Sequence, residues 1–205
     1  MLANCAKHNK DKQKSDRDLQ SIFSLCFSAH FNTQLQGEAP EPLYIPANAK
    51  QTLSTIFYRH DYFSSALHEI AHWCIAGANR RQKIDYGYWY APDGRTAQQQ
   101  TDFEFVERKP QALEWAFSIA CNIPFRVSID NLNSQENQDD KTLARQHDHF
   151  TQAVNRQLKH YVTYGFPARA SLFLAELHKF YSSPALILND KRLMLSTSLC
   201  DSTVC

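Results

Sequence analysis

The sequence lacks the features that mark membrane, secreted and nucleic-acid-binding proteins. Its 205 residues contain no run of about 18 apolar residues, so none of its segments is a candidate membrane span. The polar, lysine-rich first 17 residues have no apolar centre and are not a secretory signal peptide. The net charge is only +1, which gives no overall field favouring nucleic acid or acidic membrane surfaces. These absences predict a soluble, cytoplasmic protein.

Cysteine and glycine are sparse, and neither residue type forms a motif. The six cysteines include no Cys-x-x-Cys pair, so we expect reduced thiols rather than a disulfide framework. The five glycines form no glycine-rich loop that could hold a phosphate. Hydrophobic residues make up 43% of the chain and aromatic residues 12%, which is typical of a protein with a packed core.

Apolar periodicity divides the chain into a central domain and two tails. We predict a disordered basic tail over 1–17, a single domain over 18–188 and a loose C-terminal tail over 189–205. Within the domain, the spacing predicts helices near 18–32, 62–76, 96–121, 143–164 and 168–182, and β-type runs at 43–45, 55–58 and 84–90. Residues 37–42 are expected to form a turn-rich loop, and Pro110 is expected to break or kink the third helix near Glu107.

The most informative stretch is residues 66–74, where His-Glu-x-x-His lies within an apolar, helix-forming run. Positions i and i+4 of a helix share a face, so His68 and His72 can bind one metal ion with Glu69 beside them to carry a proton. A helical wheel places both histidines away from the apolar stripe of this helix. We therefore expect them to face solvent or a second layer across a cleft.

A metal bound by two histidines needs a further protein ligand. The metzincin position, six residues after His72, is Ala78 and supplies none. A carboxylate from the downstream helix is the best candidate: Glu107 lies on a polar stripe of that helix, and Glu104 and Glu114 are the alternatives. Histidines outside the motif also remain possible, namely His60, His147, His149, His160 and His178.

Two histidines and one carboxylate are compatible with two kinds of enzyme. Zinc with a bound water would give hydrolysis, with Glu69 as the general base. Iron(II) with open coordination positions would give oxygen activation and hydroxylation. The ligand types therefore predict a mononuclear metalloenzyme and leave hydrolase and oxygenase open.

Three long segments of the chain resemble the bacterial elongation factor P hydroxylases. They are SALHEIAHWCIAG (65–77), DYGYWYAPDGR (85–95) and VERKPQALEW (106–115), with shorter matches at 124–125 and 128–132. The resemblance runs from about residue 19 to residue 184 and leaves out only the tails. It implies a single-domain α/β fold, with a small mixed sheet flanked by several helices and a zincin-like or related HExxH helix.

The resemblance also implies a reaction and a partner. The reaction is iron-dependent hydroxylation of the lysine of elongation factor P that already carries a β-lysyl group, the last step of its modification. A zinc-dependent metallopeptidase-like hydrolase is the alternative. The resemblance implies that His68, His72 and a glutamate bind Fe(II), and the polar stripe of the downstream helix favours Glu107 as that glutamate. Glu69 would then either lie beside the ligands without binding the metal or act as a proton carrier. The low net charge and the lack of a long apolar run predict no direct nucleic-acid partner and no membrane partner. An organic co-substrate stays open, although Arg95 or Arg126 could bind one.

The implied substrate is a long cation, and this predicts its binding groups. Acidic and aromatic side chains near the metal could hold its ammonium groups by charge and by cation–π contact. Alternating tyrosines of the predicted 84–90 strand share one face, which either packs in the core or forms the wall of a cleft. The predicted substrate-binding residues are Tyr88, Tyr90, Asp93 and Glu114.

Overall fold

The computed structural model describes residues 14–84, 95–129 and 140–193. Over these ranges the chain forms five α-helices and one three-stranded sheet, which confirms the predicted mixed α/β class. The elements are α1 (Asp16–Phe31), β1 (Thr33–Ala39), β2 (Leu43–Ile45), β3 (Ser54–Arg59), α2 (Phe63–Ile75), α3 (Ala97–Ala120), α4 (Asp140–Tyr164) and α5 (Ala168–Phe180). Single 3-10 turns lie at Arg80–Gln82 and Lys191–Leu193. Among the described helices, none combines the length and apolar character needed to cross a membrane.

The small sheet is mixed, as predicted. Its strand order is β1-β3-β2, so β3 is the central strand. Strand β3 pairs parallel with β1 and antiparallel with β2, and Ile56 lies opposite Leu35 on one side and Tyr44 on the other. Because β1 and β3 are parallel, the chain between them has to cross over to the other end of the sheet, and β2 lies within that connection.

Strand β1 was not predicted, and its end replaces the first half of the loop expected at 37–42. The strand continues to Ala39 through an irregularity in its pairing, where Glu38 has a φ of 63°. A Cβ atom at Gly37 would lie 2.7 Å from Tyr58 Oη, so only glycine lets the strand pass over this tyrosine. The turn-like composition of this stretch therefore reflects a bulge inside a strand.

A cluster of aromatic rings fixes the orientation of α2. The Trp73 ring centroid lies 4.9 Å from that of Phe27 and 5.2 Å from that of Phe23, both on α1. Phe173 of α5 packs against Phe23 and also lies 5.1 Å from Phe117 of α3. Because this side of α2 is held in the core, its opposite side is turned towards the cleft beside α3.

Helix α3 is continuous, so the break predicted at Pro110 is wrong. The helix begins at a capping box in which Thr96 Oγ1 accepts from Gln99 N and Gln99 Oε1 accepts from Thr96 N. Pro110 lies buried within it and removes one backbone donor. Packing against α2 and α4 offsets that loss. Consequently Glu107 and Glu114 lie on one uninterrupted helix, two turns apart.

Secondary structure and burial extend slightly beyond the predicted domain at both ends. Helix α1 begins at Asp16, two residues before the predicted start. Near the other end, Leu193 is buried, and Asn155 Nδ2 donates to its carbonyl over 2.7 Å. The two predicted tails stay predictions, because residues 1–13 and 194–205 lie outside the described ranges.

Candidate metal centre

Helices α2 and α3 pack face to face and bring three metal-ligating side chains together. His72 Nε2 lies 3.4 Å from Glu107 Oε1, and His68 Nε2 lies 3.7 Å from Glu107 Oε2. The two histidine Nε2 atoms are 2.9 Å apart. One ligand atom from each of the three residues lies within 4.8 Å of the others, and no other described residues form such a group. This spacing suits a single metal ion bound by two imidazoles and a carboxylate.

The two histidines face the second layer that the helical wheel allowed. The His68 side chain is 26% exposed and that of His72 12%, whereas Glu107 is only 1% exposed. The cluster therefore lies at the floor of a cleft, with the carboxylate deepest and His68 nearest the opening. Such an arrangement shields the ligands and leaves one side accessible to a substrate.

Gln111 fixes the position of Glu107 from one helical turn away. Its Nε2 donates to Glu107 Oε2 over 3.2 Å and to the Ser128 carbonyl over 2.8 Å. Its Oε1 accepts from Ser128 N over 3.1 Å. The buried amide thus joins the carboxylate to the chain segment that follows α3. The sequence did not predict this role for Gln111, and its position one helical turn after Glu107 is the signal that could have indicated it.

Glu114 occupies the next position along the same face and contacts the other ring nitrogen of His68. Its Oε2 lies 2.8 Å from His68 Nδ1. An ionised carboxylate only accepts hydrogen bonds, so Nδ1 carries the proton. In neutral His68 the lone pair then lies on Nε2, which faces His72 and Glu107. A carboxylate in this position sets the tautomer and the ring orientation of a metal-binding histidine.

An incompletely satisfied oxygen shows that the three residues fit a metal ion. Glu107 Oε1 is buried and accepts no hydrogen bond from the described residues, although His72 Nε2 lies close to it. Buried carboxylate oxygens normally have a donor or a cation as partner. The lone pairs of two imidazoles and this oxygen converge on the same space, which is the donor set that a divalent transition metal takes.

The charges around the histidines perturb both of them. Burial lowers the pKa of His68, but the carboxylates of Glu114, Glu107 and Glu69 outweigh burial and raise it to about 10. Burial lowers the pKa of His72 below its usual value, although Glu107 opposes this shift. In the metal-free protein, His68 is therefore the protonated member of the pair at neutral pH.

The buried carboxylate is ionised in spite of its surroundings. Burial alone would raise the pKa of Glu107, but His72, His68 and the amide of Gln111 together lower it to about 2. Two carboxylates then surround a single histidinium. The resulting excess of negative charge favours a divalent cation at this position.

Other predicted site residues fall into two groups. Tyr88, Tyr90 and Asp93 lie outside the described residues, so their predicted contact with substrate stays a prediction. Glu104 is on α3 but accepts from Gln100 and is not part of the three-residue group. None of the alternative histidines within the described ranges joins that group either.

The two arginines considered for a co-substrate differ in their burial and contacts. The Arg95 guanidinium packs 4.1 Å above the Phe103 ring and donates to the Ile129 carbonyl and to Gln100. It is buried and holds the segment after α3 in place. Arg126 is exposed.

Comparison with known proteins agrees with this centre. A family model for elongation factor P hydroxylase matches residues 22–191. The chain is also 43% identical to the elongation factor P lysine hydroxylase of Haemophilus influenzae over 166 residues, which cover 81% of this chain and 89% of that protein. The resemblance seen in the sequence is thereby confirmed, and the chain belongs to the elongation factor P hydroxylase family.

Proposed function

We propose that the protein hydroxylates a lysine side chain of elongation factor P with a single Fe(II) ion bound by His68, His72 and Glu107. The observation that carries this proposal is the convergence of two imidazoles and one buried carboxylate from α2 and α3. Membership of the hydroxylase family and the 43% identical relative, whose name is elongation factor P lysine hydroxylase, support the reaction and the partner.

Iron is preferred to zinc because of the reaction. The ligand set itself accepts either metal. Hydroxylation requires oxygen activation, and iron(II) with open coordination positions supplies that chemistry when it is bound. Neither the family model nor the Haemophilus influenzae relative supports a zinc-dependent hydrolase. We propose that the fold is zincin-like in one respect, which is that an HExxH helix lies beside a small mixed sheet.

The surrounding residues have distinct proposed roles. Glu114 keeps the proton on His68 Nδ1 and so turns the Nε2 lone pair towards the metal position. Gln111 holds the Glu107 carboxylate by a hydrogen bond and prevents it from turning away. Glu69 follows His68 in the motif, is only partly exposed, and is placed to carry a proton to or from the reacting group. Burial of Glu107 keeps bulk water away from the deepest ligand.

The proposed substrate is the β-lysylated lysine, and hydroxylation is the last step of its modification. Tyr88, Tyr90 and Asp93 are proposed to contact this cation. Glu114 was predicted to do so too, but its bond to His68 favours a positioning role. A translation factor as partner favours a cytoplasmic location and requires neither nucleic acid nor a membrane.

Turnover with defined metals tests the proposal. The protein is loaded anaerobically with Fe(II) and mixed with β-lysylated elongation factor P, oxygen and a reductant. We expect mass spectrometry to find one added oxygen atom on the modified lysine, with no addition for the Zn(II)-loaded protein. If only the zinc form were active and it cleaved peptides without oxygen, the assignment would be reversed.

A further inference from the structure

A cavity of about 280 Å³ lies beside the metal centre, and the roles assigned above do not use it. Its walls include His72 and Glu69 on the α2 side and Val106, the neighbour of Glu107, on the α3 side. The cavity thus touches one proposed ligand directly and reaches the residue next to another. Whatever enters it comes close to the metal position.

Most of the cavity wall is apolar. Ile56 of β3, Trp73 and Ile75 of α2, and Val106 line it. A water molecule takes up about 30 Å³ of liquid, so the cavity has room for roughly nine groups of that size. Since a methylene group is similar in size to water, the cavity has enough volume for the methylene groups of a lysine side chain.

The wall near the opening is held in place by its own contacts. Tyr44 Oη donates to the Arg81 carbonyl over 2.9 Å. The Arg81 guanidinium donates to the Ala76 carbonyl and lies 6.0 Å from the Trp73 ring centroid. These contacts hold Arg81 in the wall of the cavity. The cavity is therefore preformed, as most small-ligand sites are.

We infer that this cavity receives the alkyl stem of the substrate lysine, with an ammonium group of the substrate facing Glu69. This inference rests on the proposed function and adds the location of the substrate side chain. Apolar walls suit the methylene groups, and their position beside His72 brings a carbon atom to the metal position. Glu69 is the acidic residue of the wall, so it can pair with a cation.

The charge of Arg80 makes the identity of the occupant testable. This exposed arginine lies on the rim of the cavity. A cation that passes the rim is repelled by Arg80, whereas an anion is attracted to it. The effect of reversing this charge on substrate affinity therefore has opposite signs for the two kinds of occupant.

Filling the cavity is the first test. Val106 is 38% exposed, so Val106→Trp can be accommodated without disturbing the core. Gly77 lines the cavity from another side, and a Cβ atom there meets no neighbour within 4 Å, so Gly77→Trp is a second filling variant. The control is Phe105→Trp, because Phe105 is exposed and does not line the cavity.

For the filling variants we expect at least about a tenfold fall in kcat/KM for β-lysylated elongation factor P, which is about 1.4 kcal/mol. Iron content should stay at the wild-type level, and Phe105→Trp should keep wild-type kinetics. If both Val106→Trp and Gly77→Trp hydroxylated with kcat/KM within about twofold of wild type, the inference would be wrong.

Reversing the rim charge is the second test. Arg80→Glu should lower KM for the modified substrate severalfold, and Arg80→Gln should lie between it and wild type. A rise in KM for Arg80→Glu would identify an anionic occupant and overturn the inference. Wild-type protein that adds no oxygen to elongation factor P under any metal would instead refute the proposed function, and the inference with it.

Discussion

Glu114 Oε2 lies 2.8 Å from His68 Nδ1, on the side of the imidazole ring that faces away from Glu107. The two glutamates are seven residues apart on α3 and contact different nitrogens of the same ring. One helix therefore supplies both a proposed metal ligand and the group that orients another ligand. Partners of this kind usually matter to metal affinity almost as much as the ligands themselves.

Glu114→Gln is expected to weaken metal binding by about 10- to 100-fold. The amide keeps the size of the side chain but removes the charge that orients His68 and raises its basicity. Competition against a chelating dye, with Fe(II) or Co(II) as the probe, measures the dissociation constant directly and independently of turnover. Circular dichroism should show an unchanged fold.

The matched control is Glu104→Gln, which changes a carboxylate on the same helix outside the ligand group. It should leave the metal dissociation constant within about twofold of wild type. If Glu114 binds the substrate ammonium instead, its Gln variant would raise KM and leave metal affinity unchanged. That result would restore the role first predicted for Glu114.

His68→Ala and Glu107→Gln should each lose bound metal and hydroxylation. Each substitution removes one of three converging donors, and the two that are left bind a divalent ion weakly. Damage to folding should be modest, because His68 is partly exposed and the glutamine is nearly isosteric with Glu107. Elemental analysis after desalting gives the metal content. His149→Ala, on an exposed face of α4, is the control and should keep wild-type occupancy. Full occupancy in the His68 variant would refute the ligand assignment.

Gln111→Leu should reduce both stability and metal affinity. It removes the hydrogen bond to Glu107 and leaves the backbone N–H and C=O of Ser128 without their amide partner. A fully buried group left unsatisfied costs about 1–3 kcal/mol. Because Ser128 is only partly buried, the free energy of unfolding should fall by about 2–4 kcal/mol in total, below the upper limit for two such groups. Urea denaturation of the metal-free protein measures this change.

A comparison with Gln98→Leu separates this effect from a general cost of losing an amide. Gln98 is exposed in the first turn of α3 and donates only to Asp102 among its described contacts. Its substitution should change the unfolding free energy by less than about 0.5 kcal/mol. Equal effects at the two positions would show that the bridge between Glu107 and Ser128 is energetically unimportant.

The sequence correctly predicted that His68 and His72 lie on one helix face, because that information is local. The i,i+4 spacing puts His68 and His72 on one helix face wherever the helix packs, and the apolar stripe fixes which face is buried. The sequence could not decide in the same way which of Glu104, Glu107 and Glu114 is the carboxylate ligand. That choice depends on how α3 packs against α2, which is a tertiary property. Glu107 and Glu114 both reach His68, from opposite sides of its ring.

Two errors in the predicted fold have the same tertiary origin. Pro110 disfavours a helix locally, but packing on α3 offsets one missing hydrogen bond. The glycine and acidic residues at positions 37 and 38 suggest a turn, but the parallel partner β3 holds them in a bulged strand. Local preferences were overridden in both places by contacts with residues distant in the chain.

Metal affinity should rise with pH between about pH 6 and pH 8. In the metal-free protein the pKa of His68 is raised to about 10, so metal binding must displace its proton across this whole window. Loss of one proton gives a rise of up to about tenfold in affinity per pH unit. Glu107 is already ionised, because its pKa is about 2, and it adds no slope. Chelator competition at several pH values measures this slope.

Glu114→Gln supplies the control for this pH dependence. Without that carboxylate the pKa of His68 falls, so the slope should flatten in the upper part of the window. The folding stability of the metal-free wild type should depend on pH in the opposite direction from metal affinity. The raised pKa of His68 stabilises the fold below pH 6.5, and this stabilisation is lost as the pH rises towards 10. A dissociation constant independent of pH in the wild type would contradict the protonated state of His68.

Gly37→Ala tests the bulged strand that the sequence did not predict. The added Cβ would lie 2.7 Å from Tyr58 Oη and 2.8 Å from the His60 carbonyl, and both are closer than a carbon atom tolerates. Tyr58 is fully buried and its hydroxyl also contacts Gln20 over 2.7 Å, so it has little room to move. We expect a loss of about 1–3 kcal/mol in unfolding free energy, as for other overpacked sites.

Gly77→Ala is the matched control for this clash, because a Cβ at Gly77 meets no neighbour within 4 Å. Its stability should stay within about 0.5 kcal/mol of wild type or rise slightly, since alanine restricts the unfolded chain. Thermal and urea unfolding of both metal-free variants measure the difference. Metal affinity should be unchanged in Gly37→Ala, because β1 lies away from the ligand helices α2 and α3. Equal stability of the two alanine variants would show that Tyr58 shifts freely and that the bulge does not require glycine.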